Sequence, residues 1–418
     1  MNLLVITSVD IPFGSAHSVH ASLFLKGLRK NGANAFLLIP YGVKREALAT
    51  SKEKYGHYDG VPFYIARRKK NIKKIFRFTD RFLGVFTTAI VVYKRTKKRK
   101  TDAVILGGIT DLIRDFPLVV ACKLRRVPVY LWSVEKASLS EDFRGLPGFL
   151  NKLSQKITET QLPKFITGSI VISSALKAHY QKYLPIDKIL INPILVSEHM
   201  NKFRKEEHTE MLNNIRSKIK KNKFLVYSGS FDGKDGIFNL LDAFKDYVSK
   251  NPDTLFFMTG KNHSKAIMDA VKNYITKLNL NDKVKLLGFV DSNELHCYNY
   301  LADILFVCRT NSPFANHGFP WKLGEYCMTG RPIIATKVSD IENYFTDDEN
   351  LFIVNPNDSG AISSKITYIY NNYPRALQIA SSGKETAMEY FNYITRTQEV
   401  ISFIKNVATC GQSFNSRN

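Results

Sequence analysis

Apolar positions along this chain follow two alternating rhythms. Short runs of β-branched and aliphatic residues are separated by stretches whose apolar side chains recur every three or four residues, the pattern of strand–helix units built around a parallel sheet. In the first half the runs predict strands at Leu3 to Thr7, Ala35 to Ile39, Ala103 to Leu106, Pro128 to Trp132, Gly168 to Ile172 and Ile189 to Ile191. Between the first two, Val19, Leu23, Phe24 and Leu28 are read as one helical face, with Gly32 where the helix stops. A polar stretch over 197–222 then reads as linker plus connecting helix, and the same grammar restarts. Strands are expected at 224–228, 255–259, 284–288, 304–307, 332–336 and 351–354. Ile237, Leu240, Leu241, Phe244 and Val248 form one helical face between them, and Ile267, Val271, Ile275 and Leu278 another. Beyond Pro374 a helical run reaches about Glu389, and FNYITRTQEVISFIKNV (391–407) suits a further helix. No stretch approaches the ~20 apolar residues of a membrane span.

A chain of 418 residues with 44% hydrophobic content fills two cores. The expected division is 1–197 and 198–393, with a last helix over about 394–418. The opening MNLLVITSVD has no basic flank and reads as a buried strand, not a leader. Cys122, Cys297, Cys308, Cys327 and Cys410 are scattered without a Cys-x-x-Cys pair, which excludes a zinc ribbon or redox motif and suits a reducing cytoplasm. Charge is lopsided: residues 1–197 carry +20 of the total +23. Its focus is the span from Arg67 to Lys100, with fourteen Lys/Arg against Asp80 alone, bracketing the apolar run FLGVFTTAIVVY (82–93). An apolar segment flanked by cations suits an anionic membrane surface; a core helix with solvated basic ends is the plain alternative. Nucleic acid is disfavoured, because no aromatic interleaving or finger spacing accompanies the charge.

Open parallel sheets bind ligands beyond the carboxyl ends of their strands, so the loops after the strands carry the chemistry. DIPFGSAHSVH (10–20) places Gly14 and Ser15 before a helix, where free N–H groups favour an anion. GSFDGKDG (229–236) repeats the arrangement and adds Lys234, a cation suited to a departing diphosphate. It is not a Walker loop, and no Gly-x-Gly-x-x-Gly occurs. NSPFANHGFPWKLGEYCMTGRPIIAT (311–336) offers Pro320 for a first helical turn, Gly330 for its stop and Pro332 before the next strand. Lys322 and Glu325 share a face there. Glu325 is suited to ribose hydroxyls, the alternative being a simple Lys322–Glu325 surface pair. No Asp-x-Asp is present, so lysine and helix N–H groups are expected to neutralise a diphosphate without metal.

Three segments in this order, GSFDGKDGIFNLLDAF, GFVDSNELHCYNYLADILFV and GFPWKLGEYCMTGRPIIAT, resemble the donor-binding domain of family 4 retaining glycosyltransferases of the GT-B fold. The resemblance is specific over about 222–356. It is looser in the first half, through the opening strand and its loop, GSIVISSALKAHY (168–180) and ILINPILV (189–196), and weakest over 42–100. It implies an α/β protein of two doubly wound Rossmann-like domains facing a central cleft, the first binding acceptor and the second the nucleotide sugar, with the terminal helix returning to the first. It further implies that Lys234 neutralises the donor diphosphate and that Glu325, the second glutamate of a Glu-x7-Glu motif, holds the ribose. Gly318 and Phe319 would offer backbone contacts, Phe289 and Val290 would border the base, and Gly14 and Ser15 would close on the phosphates. Gly229, Ser230, Gly260 and Lys322 complete the expected donor site. His17, Asp111 and Glu135 are the expected acceptor-side residues.

Two positions depart from the family pattern. His317 stands where the motif's first glutamate belongs and is assigned to a hexose hydroxyl; Ser230 stands where an arginine usually follows the strand glycine, leaving Lys322 or Arg309 to supply that charge. The expectation is a metal-independent, cofactor-free retaining hexosyl transfer in cell-envelope polysaccharide synthesis. Its acceptor would be a glycan or polyprenyl-diphosphate-linked glycan, and the protein would be cytoplasmic and peripheral on the inner face of the membrane, docked through 67–100. A non-catalytic relative, a sugar-nucleotide epimerase on the same fold and a nucleic-acid binder are the competing readings.

Overall fold

In the computed structural model the described residues are 1–7, 16–40, 55–58, 60–66, 77–98, 101–108, 112–140, 145–201, 205–260 and 264–415. They fall into two units: Met1–Leu195 with His317–Phe319 and Tyr393–Asn418, and Val196–Asn316 with Pro320–Asn392.

The first unit runs β1 (Asn2–Thr7), α1 (Ala16–Lys30), β2 (Asn34–Ile39), β3 (Tyr55–Tyr58), β4 (Val61–Ile65), α2 (Arg77–Lys98), β5 (Ala103–Gly107), α3 (Leu112–Leu124), β6 (Val129–Ser133), α4 (Gly145–Gln161), β7 (Gly168–Val171), α5 (Ser174–Tyr180) and β8 (Ile189–Ile191). Its sheet has the order β3-β4-β2-β1-β5-β6-β7-β8. Only the β3–β4 pair is antiparallel. Every residue of β5 and β6 is buried, as expected of parallel strands covered on both faces. The β3–β4 hairpin shows no strand period in the sequence, because Gly56, Gly60 and Pro62 break the apolar run.

Val19 is a correction to the expected face of α1. It is exposed, whereas Ala21, Phe24, Leu25 and Leu28 are buried. At about 100° per residue, Val19 and Leu28 point in opposite directions.

The second unit runs α6 (Thr209–Ile219), β9 (Lys223–Ser228), α7 (Ile237–Val248), β10 (Thr254–Thr259), α8 (Lys265–Lys277), β11 (Val284–Gly288), α9 (Ser292–Leu301), β12 (Ile304–Val307), α10 (Pro313–His317), α11 (Trp321–Thr329), β13 (Ile333–Thr336), β14 (Phe352–Val354), α12 (Ser359–Asn371) and α13 (Tyr373–Phe391). His317, the last residue of α10, groups with the first unit. The strands are all parallel, in the order β11-β10-β9-β12-β13-β14. The apolar face expected of α7 is buried against the sheet core of Leu225, Phe256 and Phe306. On α8, Val271 and Ile275 are buried, while Ile267 and Leu278 are half-buried.

The last helix, α14 (Tyr393–Asn415), belongs to the first unit and packs on α1. Asn31 Nδ2 donates to the Ile394 carbonyl at 2.7 Å and to Thr397 Oγ1 at 3.0 Å, and the Tyr130 hydroxyl donates to the Ile404 carbonyl at 3.3 Å. Gly27 permits the approach: a Cβ there would lie 2.3 Å from Thr397 Oγ1 and 2.5 Å from the Tyr393 carbonyl. Among the described residues, no helix is long and apolar enough to cross a membrane.

Candidate functional site

The carboxyl ends of β9, β10 and β11 are stitched together by backbone. Gly229 N–H donates to the Thr259 carbonyl at 3.0 Å, and Gly260 N–H to the Gly288 carbonyl at 2.7 Å. Gly260 has φ +123°, and a Cβ on it would lie 1.8 Å from the Gly229 carbonyl oxygen, so only glycine fits. The chain then makes a tight turn over Gly233–Asp235. There the Asp232 and Asp235 side chains cap one another's backbone and close the turn that precedes α7.

Asp235 is the centre of this site and was not singled out from the sequence. It is buried, with Lys322 Nζ from α11 at 3.8 Å. Burial raises its carboxyl, but the charges of Lys322, Arg309 and Lys234 and the Ser230 hydroxyl outweigh this and hold it below the ordinary carboxylate range. Burial lowers the Lys322 ammonium despite Asp235 beside it. Lys322 Nζ also sits over the Tyr227 ring, 4.2 Å from its centroid. Lys322 is therefore an interior cation paired to Asp235, not half of a surface pair with Glu325. The charges of Lys234, Lys322 and the buried Arg309 all act on this one acidic turn.

Lys234 lies in that turn with Nζ 4.4 Å from the Phe314 ring centroid, and its carbonyl accepts from Thr310 N–H at 2.9 Å. The Ser230 hydroxyl is within reach of Asp232 Oδ2 at 2.6 Å and Asp235 Oδ2 at 2.8 Å. The serine found where the family pattern has an arginine organises the aspartate pair. Tyr326 on α11 reaches back to β9, its hydroxyl accepting from Ser228 N–H at 3.0 Å and sharing a 2.8 Å hydrogen bond with Ser228 Oγ. This locks α11 against the strand, and with it Glu325 one residue earlier. Burial pushes the Glu325 carboxyl up to about 7, the Lys322 charge pulling the other way.

The remaining expected residues are dispersed. Pro320 caps α11 from outside rather than forming its first turn. Gly318 and Phe319 are buried before it, and His317 is half-buried. Phe289 is 70% exposed after β11, with Val290 half-buried. In the first unit Glu135 is half-buried after β6. Gly14, Ser15, Asp111 and the His17 side chain lie outside the described residues. Beyond Glu135 in the chain, buried Glu159 accepts from the Ser138 N–H at 3.0 Å and from its hydroxyl, and its carbonyl meets His179 Nε2 at 3.2 Å. Burial, followed by the Lys136 charge, lowers His179 to about 4, which leaves it neutral near pH 7. Among the described residues no group of three His, Cys, Asp or Glu is placed to hold a metal ion.

Residues 210–386 match the model of glycosyl transferases group 1. Solved structures align over nearly the whole chain. HepE of Anabaena, in complex with UDP and glucose, superposes with a TM-score of 0.73 over 97% of this chain and 100% of its own, at 14% identity. Sucrose-phosphate synthase of Thermosynechococcus elongatus gives 0.74 over 98% and 100%, also at 14% identity. The chain has the GT-B fold.

Among sequence relatives, an uncharacterised glycosyltransferase of Methanocaldococcus jannaschii is 23% identical over 57% of this chain and 66% of its own length. A 2-deoxystreptamine N-acetyl-D-glucosaminyltransferase of Niallia circulans is 22% identical over 38% and 39%. The chain thus spans just under two thirds of the length of the first of these relatives and well under half of the second. On this GT-B frame, the turn after β9 and helix α11 occupy the carboxyl-end side of the second sheet, where open α/β sheets take ligands.

Proposed function

We propose that this protein is a retaining glycosyltransferase of family 4 that moves a hexose from a nucleotide-diphosphate sugar. The acceptor would be a glycan or polyprenyl-diphosphate-linked glycan, at the inner face of the cell membrane, in envelope polysaccharide assembly. The observation that carries this reading is the Lys234 turn after β9, where buried Asp235 meets Lys322 Nζ of α11 at 3.8 Å at the carboxyl end of the second sheet. The UDP-bound HepE structures favour uridine as the base.

In this reading Lys234 is the cation presented to the diphosphate, and Asp235 fixes the turn that aims it. Negative charge grows on the leaving phosphate as the glycosidic bond breaks, and a preorganised ammonium lowers the barrier because it binds that charge more strongly than the ground state. No metal is required, since the cations supply the neutralisation. Glu325 accepts hydrogen bonds from ribose hydroxyls as a carboxylate. His317 and the Gly318 and Phe319 amides are assigned to the sugar and phosphate, and Phe289 with Val290 to the base. Glu135, His17 and Asp111 are assigned to the acceptor, and Gly14 and Ser15 to phosphate.

The test is a thermal-shift screen against UDP, GDP and their sugars, followed by transfer and donor-hydrolysis assays with chelator present. UDP should raise the melting temperature, and Lys234→Ala should cut turnover roughly 10²- to 10³-fold. Unchanged turnover in that variant overturns the assignment of the site. Conversion of the donor with neither acceptor nor water consumed would favour an epimerase instead.

A further inference from the structure

The outer face of the first unit's helical layer is built for a lipid surface. α3 packs between α2 and α4 on one side of the eight-stranded sheet, while α14 packs on α1 elsewhere. α2 is apolar on both sides. Val85, Thr88, Val92 and Thr96 recur at helical spacing and are buried, whereas Leu83, Phe86, Ile90 and Tyr93 recur at the same spacing and are exposed by 40–54%. The second stripe has no counterpart in an ordinary surface helix, whose outward side is polar.

The stripe continues across the neighbouring helices. α3 exposes Val120 and Leu124, the latter by 70%. α4 exposes Phe149, Leu153 and Ile157 one turn apart, with Leu150 beside them. Phe165, just past α4, is exposed and packs edge-on against Phe116 of α3 at 5.3 Å. The helices are joined at this level by cations over rings: Arg125 lies 5.4 Å from the Tyr93 ring centroid and Lys123 lies 4.8 Å from that of Phe165. Exposed apolar residues on three adjacent helices of one layer mark an interaction surface.

Charge selects the occupant. Exposed Lys94 and Lys97 on α2, Lys123 on α3 and Lys152 and Lys156 on α4 border the face, with Arg126 and Lys164 in the following turns. The described acidic side chains of the three helices are Asp115 and Glu159, and both are buried: Asp115 against Arg114, Glu159 on Ser138. An apolar face about one side chain deep, rimmed by cations without a single exposed carboxylate among its described helical residues, matches the interface of an anionic bilayer.

We infer that the face formed by α2, α3 and α4 docks the protein onto anionic membrane, with Phe86, Ile90, Phe149 and Leu153 entering the acyl boundary and the surrounding lysines meeting lipid phosphates. Of the segment expected to dock, 67–100, α2 is the part within the described residues, and α3 and α4 add to it. The inference deepens the proposed function and rests on it for the reason a bilayer is visited.

Vesicle flotation of the full chain tests it, using phosphatidylcholine alone and phosphatidylcholine mixed with phosphatidylglycerol. Wild type should float with the mixed vesicles, and less so as salt is raised. Phe86→Glu/Ile90→Glu and Phe149→Glu/Leu153→Glu should each weaken that binding roughly tenfold or more. Lys152→Glu/Lys156→Glu, which leaves the apolar face intact, should lower binding to mixed vesicles selectively. Circular dichroism and the UDP thermal shift report folding of each variant. The inference is overturned if wild type does not float, if the variants float as wild type does, or if neutral and anionic vesicles bind alike. Lipid-independent self-association through these residues, without flotation, also overturns it. A missing UDP shift with flotation preserved removes the donor reading and leaves the surface standing.

Discussion

Glu325 keeps its proton to about pH 7 because burial on α11 penalises the charged form more than Lys322 favours it. In the unfolded chain the same carboxyl ionises near an ordinary pKa of about 4.3. The native state therefore holds a proton that the unfolded state has lost throughout that window. The contribution of this group to stability is full below about pH 4.3 and declines as pH rises through 7. If the carboxylate accepts ribose hydroxyls, UDP affinity should rise with pH across the same upper limit, with net proton release on binding. Calorimetry in two buffers of different ionisation enthalpy measures this, and Glu325→Gln should abolish the release attributable to the protein. Proton uptake by wild type, or an unchanged profile in the variant, would remove Glu325 from the ribose. Lys234 and Glu325 were open to proposal from the sequence because each lies in a short segment following a strand, Lys234 in the turn after β9 and Glu325 on α11. Asp235 was not, since its importance comes from Lys322 and Arg309, brought to it by different elements.

At the scale of elements, helix and strand periods were readable wherever packing follows one local rhythm, as on α7. They failed where two environments compete. α2 carries an apolar stripe on each side, so its pattern alone does not say which stripe is core; burial of Val85, Thr88 and Val92 settles it. The short β3–β4 hairpin failed for the opposite reason, having too few apolar residues to show a period. The α1–α14 contact gives the sharpest test at this scale. In an isolated helix Gly27→Ala would gain about 1 kcal/mol of propensity. Here the added Cβ meets Thr397 Oγ1 and the Tyr393 carbonyl, and the backbone partner has no rotamer to escape into. Net destabilisation of about 1–3 kcal/mol is expected in urea unfolding. A stabilised variant would show that α14 does not pack there.

At the scale of the whole molecule, α14 returns to the first unit from the far end of the chain, burying Val400, Ile401, Ile404 and Val407. A chain ending at Asn392 should lose amide-exchange protection in β1, β2 and α1 while β9, β12 and β13 keep theirs. Equal loss in both units would contradict this allocation.

The sequence by itself determined the two α/β units, the order of most strands and helices, and the segments after the strands in which Lys234 and Glu325 lie. These follow from rhythms set by backbone geometry over a few residues and from side chains adjacent in the chain. Tertiary structure alone decided that Lys322 pairs with Asp235 rather than Glu325, that Ser230 serves the aspartate turn, and that α2, α3 and α4 present a shared apolar, cationic face. Each of these depends on which elements the sheet order places side by side, and no local period encodes that.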